Sequence, residues 1–307
     1  MEDSKDLKLI RIFMIVVLFI LILASFLDQS ISKAVMNQNS LFGTIMQNYG
    51  MFPENVVPFL AGQIIFVVGI KGNYSAFVSF LAVLGGLAFS FWHCLHYTFW
   101  ALHYTYTSID NVKNGLALGA ANNDSGVVAV PFSIELGLTV LIFILGTYLS
   151  YKWLAKKSAN ELKYLLKVSF IAIAVFYTCE AVINSMKVEW GRFRPYEVYI
   201  DKVDGAHFTN WWQINGDTGH KSFPSGHAFS GMMAIFFPFF VDRKNTNLQT
   251  KLTYVGLFYA FLMAISRVRI GAHFLSDVTV SVTITFLIIF LAFRLNGYNF
   301  IEDNDSL

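Results

Sequence analysis

A run of about 20 apolar residues can cross the roughly 30 Å hydrocarbon layer of a bilayer as an α-helix, and this chain carries a series of such runs. Eight segments reach or approach that length: residues 10–27, 53–70, 75–97, 127–153, 162–186, 226–241, 252–267 and 274–295, the second and sixth being short. Lipid offers no partners to free backbone groups, so segments of this kind must be helices. Composition points the same way. Of 307 residues, 55% are hydrophobic and 14% charged, too little charge to cover a water-soluble domain of this size. The expected fold is all-α, a polytopic transmembrane bundle of about eight spans.

Basic residues set the orientation. An even number of spans puts both termini on one side. With that side inside, the inner segments hold 13 of the 22 Lys and Arg residues, most of the signal coming from 151–163 and 242–251. Such an excess marks cytoplasmic loops. The expected location is a plasma membrane, by default bacterial, with both termini cytoplasmic. The first apolar run lacks a small-residue cleavage site and reads as an uncleaved anchor. Cys94 and Cys179 lie in apolar stretches, so no disulfide framework is expected. A formal net charge of +2 without a basic run gives no reason to expect a nucleic-acid partner.

Three polar clusters fall at the outer ends of the last four spans. KVEWGRFRP contains Lys187, Arg194 and Pro195; SFPSGHAFSG contains Pro224, Ser225, Gly226 and His227; SRVRIGAHFLSD contains Ser266, Arg267, His273 and Asp277. Lys187, Arg194 and Arg267 are cations at a low-dielectric boundary and call for an anion. The arginine fork matches phosphate oxygens, and lysine adds a point charge. Pro224-Ser225-Gly226 reads as a helix start, where Ser225 caps and Gly226 lets a ligand approach the exposed amides. Asp277 follows His273 by four residues, on the same helical face and within reach of one imidazole nitrogen. The other nitrogen is then free to act as a nucleophile.

A mechanism follows from these residue types. His273 attacks phosphorus, His227 protonates the leaving oxygen, and His227 then activates the water that hydrolyses the phosphohistidine. The three cations and the backbone amides hold the equatorial oxygens. With the cations in place, neither a metal nor another cofactor is expected.

These clusters resemble the signature of the type 2 phosphatidic acid phosphatase superfamily, which includes lipid phosphatases, glucose-6-phosphatase and vanadium haloperoxidases. Its fixed positions are Lys, six residues, Arg-Pro; Pro-Ser-Gly-His; and Ser-Arg, five residues, His, three residues, Asp. Lys187, Arg194, Pro195, Pro224 to His227, Ser266, Arg267, His273 and Asp277 match all of them. The resemblance covers about residues 75–295. It implies a six-helix phosphatase core within 75–307, preceded by a pair of spans in 1–74 that the family does not explain. It also implies catalytic roles for His273, His227 and Asp277, and phosphate binding by Lys187, Arg194, Ser225, Gly226 and Arg267. Ser266 has no such clear role and is assigned to loop support.

Each residue also has a plainer reading. Arg192, Arg269 and Lys221 are expected to snorkel to headgroups. His93, His96 and His103 share a helical face among aromatics and read as an interfacial belt rather than a metal site, with Trp190, Trp211 and Trp212 in the same belt. Segment 98–126 is a candidate surface lid. Glu135 and Glu180 should face protein, Glu180 either as a partner of a phosphate-site cation or in a structural ion pair.

The expected substrate is a membrane lipid phosphate or diphosphate, with the site opening on the outer face. Phosphatidate, phosphatidylglycerol phosphate, an isoprenyl diphosphate and a lipid A phosphate all fit. The WGRFRP stretch and the loop before Pro224 are similar to bacterial lipid A phosphatases, without choosing among these. The rival readings are a lipid phosphotransferase using the same histidine and a non-catalytic transporter or lipid-binding protein.

Overall fold

The computed structural model describes residues 5–120 and 128–300. Part of the candidate lid and the first residue of the fourth expected span fall on 121–127, outside the described residues, as do both extreme termini. The described residues form helices and connecting turns, with no strand among them. The helices are α1 (Lys5–Val35), α2 (Leu41–Tyr49), α3 (Phe52–Lys71), α4 (Ala76–Lys113), α5 (Phe132–Leu154), α6 (Ala159–Trp190), α7 (Pro195–Tyr199), α8 (Gly226–Met232), a 3₁₀ helix (Met233–Phe240), α9 (Thr246–Arg269) and α10 (Leu275–Leu295).

Seven of the helical segments are long and apolar enough to cross a membrane, and Gly226–Phe240 is a shorter apolar one. Its second half is 3₁₀, which rises about 2.0 Å per residue against 1.5 Å in an α-helix. The segment therefore reaches roughly 26 Å, close to the thickness of the hydrocarbon layer. The perimeter is apolar: Ile15, Phe19 and Phe26 on α1, Leu141, Ile144 and Leu145 on α5, and Val255, Phe258 and Phe261 on α9 are all exposed. In water such a belt would be an aggregation surface; against lipid tails it is solvated.

Ser and Asn caps start several helices. Ser158 and Glu161 form a capping box at α6, Ser225 caps α8 through the Ala228 amide, and Asn245 caps α9. Gly191, with φ of +47°, ends α6 in the left-handed region. The central core lies on α6, where Leu165, Val168, Ala172, Val175, Phe176 and Cys179 meet apolar residues of α3, the 3₁₀ helix and α10.

Two elements differ from the hydropathy reading. α2 is a short helix in a stretch that has no apolar run, capped by Ser40. α4 continues to Lys113, well beyond the expected end at 97, so residues 98–113 extend a span as a helix. The consequence of the layout is positional. The ends of α2, α6 and α9, the starts of α3, α8 and α10, and the extension of α4 meet at one end of the bundle.

Candidate active site

A cavity of about 220 Å³ lies at that end. Lys187 and Arg194 from the end of α6 and the turn after it, Gly226 and His227 from the start of α8, Arg267 from the last turn of α9, and His273 from the α9–α10 turn all line it. Three cations and two histidines, drawn from segments up to 86 residues apart in sequence, thus share one space. Gln47 of α2, Glu54 of α3, and His96, Trp100 and Tyr104 of α4 also line it, as do Glu180, Asn184 and Lys221.

His273 is buried, and its Nδ1 donates to the Ser222 carbonyl at 2.6 Å. A carbonyl only accepts, so the proton sits on Nδ1 and Nε2 keeps its lone pair. Burial, with Arg194, Arg267 and Lys187 nearby, holds this imidazole well below its usual pKa and neutral at neutral pH.

Asp277 stands 3.7 Å from His273 Nδ1. The sequence places this carboxylate on the imidazole; in the structure Ser222 mediates instead. Ser222 Oγ donates to Asp277 Oδ2 at 2.6 Å while its carbonyl takes the histidine proton. Asp277 also accepts from the Phe274 amide at 2.8 Å, fixing the start of α10, and from Arg192 Nη1 at 2.5 Å.

Arg192 does not snorkel. It is buried, bonds Asp277, Ser276 Oγ and the Thr209 carbonyl, and reaches Asp28 of α1 at 3.1 Å. Asp28 in turn accepts from the amide and hydroxyl of Ser276. Two carboxylates around one guanidinium, all nearly inaccessible to solvent, form a closed ionic network behind the imidazole. Arg269 is also used internally, donating to the Val35 carbonyl at the end of α1, where a cation suits the helix dipole. Lys221 is exposed at the cavity rim.

His227 is buried with Nε2 at 3.2 Å from the Gln47 carbonyl, and its ring lies edge-on to Tyr104. Arg267 Nη1 donates to Gln47 Oε1 at 3.1 Å, while its buried Nε has no hydrogen-bond partner among the described residues. Ser225 joins α8 to α10, its amide donating to the Asp277 carbonyl and its carbonyl accepting from Ser281 Oγ. A Cβ on Gly226 would sit 3.0 Å from Lys187 Nζ, so the glycine is what lets that ammonium approach the α8 backbone. Ser266 is buried and bonds the Met263 carbonyl within its own helix.

The α4 histidines are built into the fold. His96 lies between Asn55 Oδ1 and the Trp100 indole, His103 contacts the Val128 carbonyl, and His93 packs edge-on against Phe89 and Phe176. No group of His, Cys, Asp and Glu suited to a metal occurs among the described residues. Trp190 and Trp211 tie the loop after α7 to α6 and α1 through the Trp211 carbonyl and Ser25 Oγ.

Fold and cavity together define the class: a multi-pass helical membrane protein with a polybasic, two-histidine pocket suited to a phosphoryl group. Residues 164–301 match the family model of the PAP2 superfamily, bearing out the resemblance of the three clusters. No curated protein and no solved structure matches the chain. The matched segment starts within α6 and contains every position of the three clusters, while α1 to α5 precede it. The superfamily is one of phosphatase-type enzymes.

Proposed function

We propose that the protein is an integral-membrane phosphatase acting on the phosphate of a lipid through a phosphohistidine. The carrying observation is the orientation of His273, whose Nδ1 is tied to Ser222 while the ring lines a cavity shared with Lys187, Arg194, Arg267 and His227. The Nε2 lone pair forms the P–N bond as the P–O bond to the alcohol breaks, and His227 delivers the proton to the departing oxygen. Water then attacks phosphorus, His227 takes its proton, and the P–N bond breaks to give inorganic phosphate and neutral His273. The cations carry the charge that develops on the equatorial oxygens, so the proposed reaction is metal-independent.

A lipid substrate is favoured by where the cavity lies. α4 and α6 meet through ring contacts of Phe89 with Tyr177 and His93 with Phe176. Beyond these rings the cavity runs between Trp100 and Tyr104 on one helix and Glu180 and exposed Asn184 on the other. An amphiphile could present its phosphate there while its tail stays in the apolar perimeter. The basic excess on the opposite side favours a site on the extracytoplasmic face.

The test is phosphate release from a panel of lipid phosphates by purified protein in detergent with chelator present. Release that survives chelation and vanishes in His273→Ala supports the reading. Transfer of label to an acceptor other than water points to a phosphotransferase, and vanadate binding without turnover on any lipid overturns the enzyme reading.

A further inference from the structure

The cavity is closed on one side by α2, a helix outside the matched segment, and a single residue of α2 touches two of the proposed catalytic groups. Gln47 is buried, yet lines the cavity. Its main-chain carbonyl faces His227 Nε2 at 3.2 Å, and its side-chain oxygen accepts from Arg267 Nη1 at 3.1 Å. A guanidinium only donates, so the contact fixes which end of the amide is oxygen. With Oε1 engaged, what the side chain has to offer the cavity is its Nε2 donor.

We propose that Gln47 is an active-site residue: its Nε2–H donates to a phosphoryl oxygen of the substrate, while its two oxygens hold Arg267 and His227 in register. The proposal rests on the phosphatase reading for the identity of the oxyanion, and on this geometry for the rest. A neutral donor differs in kind from the cations around it. Lys187, Arg194 and Arg267 attract the ground-state phosphate wherever it sits. A short amide donor, fixed by its own oxygen, acts only at a defined position and favours the geometry of pentavalent phosphorus.

The same contacts order the two proposed roles. The Gln47 carbonyl accepts from Nε2–H throughout, which leaves Nδ1 as the nitrogen of His227 that gives up and regains the transferred proton. Arg267, whose Nε lacks a partner among the described residues, is anchored at Nη1 by the same residue that anchors the histidine. α2 is held in turn by α9 and α4, with Asn48 Nδ2 donating to Ser108 Oγ at 3.1 Å. Its place beside the cavity is thus set by packing independent of substrate.

Two variants of the full-length protein separate this role from a structural one. Gln47→Met keeps the length but removes donor and acceptor. Gln47→Glu keeps an acceptor for Arg267, removes the amide donor and adds negative charge. Orthovanadate, which adopts five-coordinate geometry, is the probe, read by its protection against heating and, where turnover occurs, by inhibition. We expect vanadate affinity to fall by about ten- to a hundredfold in both variants, the size of a lost hydrogen bond to a charged group. In the same proteins kcat falls more than KM rises, and Gln47→Glu keeps the wild-type unfolding midpoint without ligand. Wild-type vanadate affinity in a folded Gln47→Glu protein would overturn the proposal. Wild-type turnover on the lipid panel reports separately on the phosphatase reading, because vanadate binding needs no turnover.

Discussion

Because His273 Nδ1 donates to the Ser222 carbonyl, the proposed nucleophile owes its tautomer to the main chain, and Asp277 owes its effect to what it holds in place. Ser222→Ala keeps the carbonyl and removes only the hydroxyl that bonds Asp277. The expected cost is about 1–3 kcal/mol of stability with turnover reduced but retained. Asp277→Ala removes one of two carboxylates from a buried guanidinium, so the cost should be about 3–5 kcal/mol, with turnover lost. Unfolding and phosphate release measured on both variants check the ranking, and undiminished turnover in Ser222→Ala would show that Asp277 acts on His273 directly.

The neutral state of His273 gives a pH prediction. Its folded pKa is depressed, first by burial and then by Arg194, Arg267 and Lys187. Below the unfolded value of about 6.5 the unfolded chain takes up a proton that the folded chain refuses. This residue therefore removes stability as pH falls from about 6.5 toward the depressed value and contributes no pH dependence above that window. The acid limb of kcat/KM should likewise fall below pH 6.5. In Arg194→Gln that limb should move upward, because one of the neighbouring charges is gone; an unmoved limb would assign it to another group.

At the scale of elements, α1 is more than an anchor. Its Asp28 accepts from Arg192 and from both donors of Ser276, so one helix outside the matched segment buttresses the start of α10. Asp28→Ala should leave the buried Arg192 underpaired, lowering stability by about 3 kcal/mol and the unfolding midpoint in detergent accordingly. Asp28→Asn, which retains an acceptor, should recover part of that loss. Full wild-type stability in Asp28→Ala would reduce α1 to a membrane tether.

These same elements show where sequence reading runs out. Long apolar runs report themselves through hydropathy, and fixed spacings among Lys187, Arg194, His227, Arg267 and His273 carry the family resemblance that the match over residues 164–301 bears out. α2 has neither kind of signal. Its nine residues are part polar, and its helix depends on the Ser40 cap and on packing against α4 and α9. The extension of α4 hides for a related reason, since past residue 97 the helix faces a polar cavity on one side and loses its continuous apolar character. The motif for that stretch was still present, because His96, Trp100 and Tyr104 recur every four residues. Arg192 and Asp28 pair across 164 residues, a contact that no local spacing encodes.

For the whole molecule, the fold makes the outward-facing end testable with few changes. Gly226–Phe240 runs from the active-site end to the opposite end, so exposed Asp204 and Lys244 lie on opposite sides if that segment completes a crossing. Both native cysteines are buried, in α4 and α6, so the background for thiol labelling should be low. Single substitutions Asp204→Cys and Lys244→Cys then report topology directly. With the active site outward, a membrane-impermeant maleimide should label Asp204→Cys in intact cells and Lys244→Cys only after permeabilisation. The reverse pattern would place the site in the cytoplasm and show that the basic residues of 151–163 and 242–251 do not set the orientation. Labelling of both positions from one side would show that Gly226–Phe240 does not cross, and the even count of spans on which the shared side of the termini depends would fall with it.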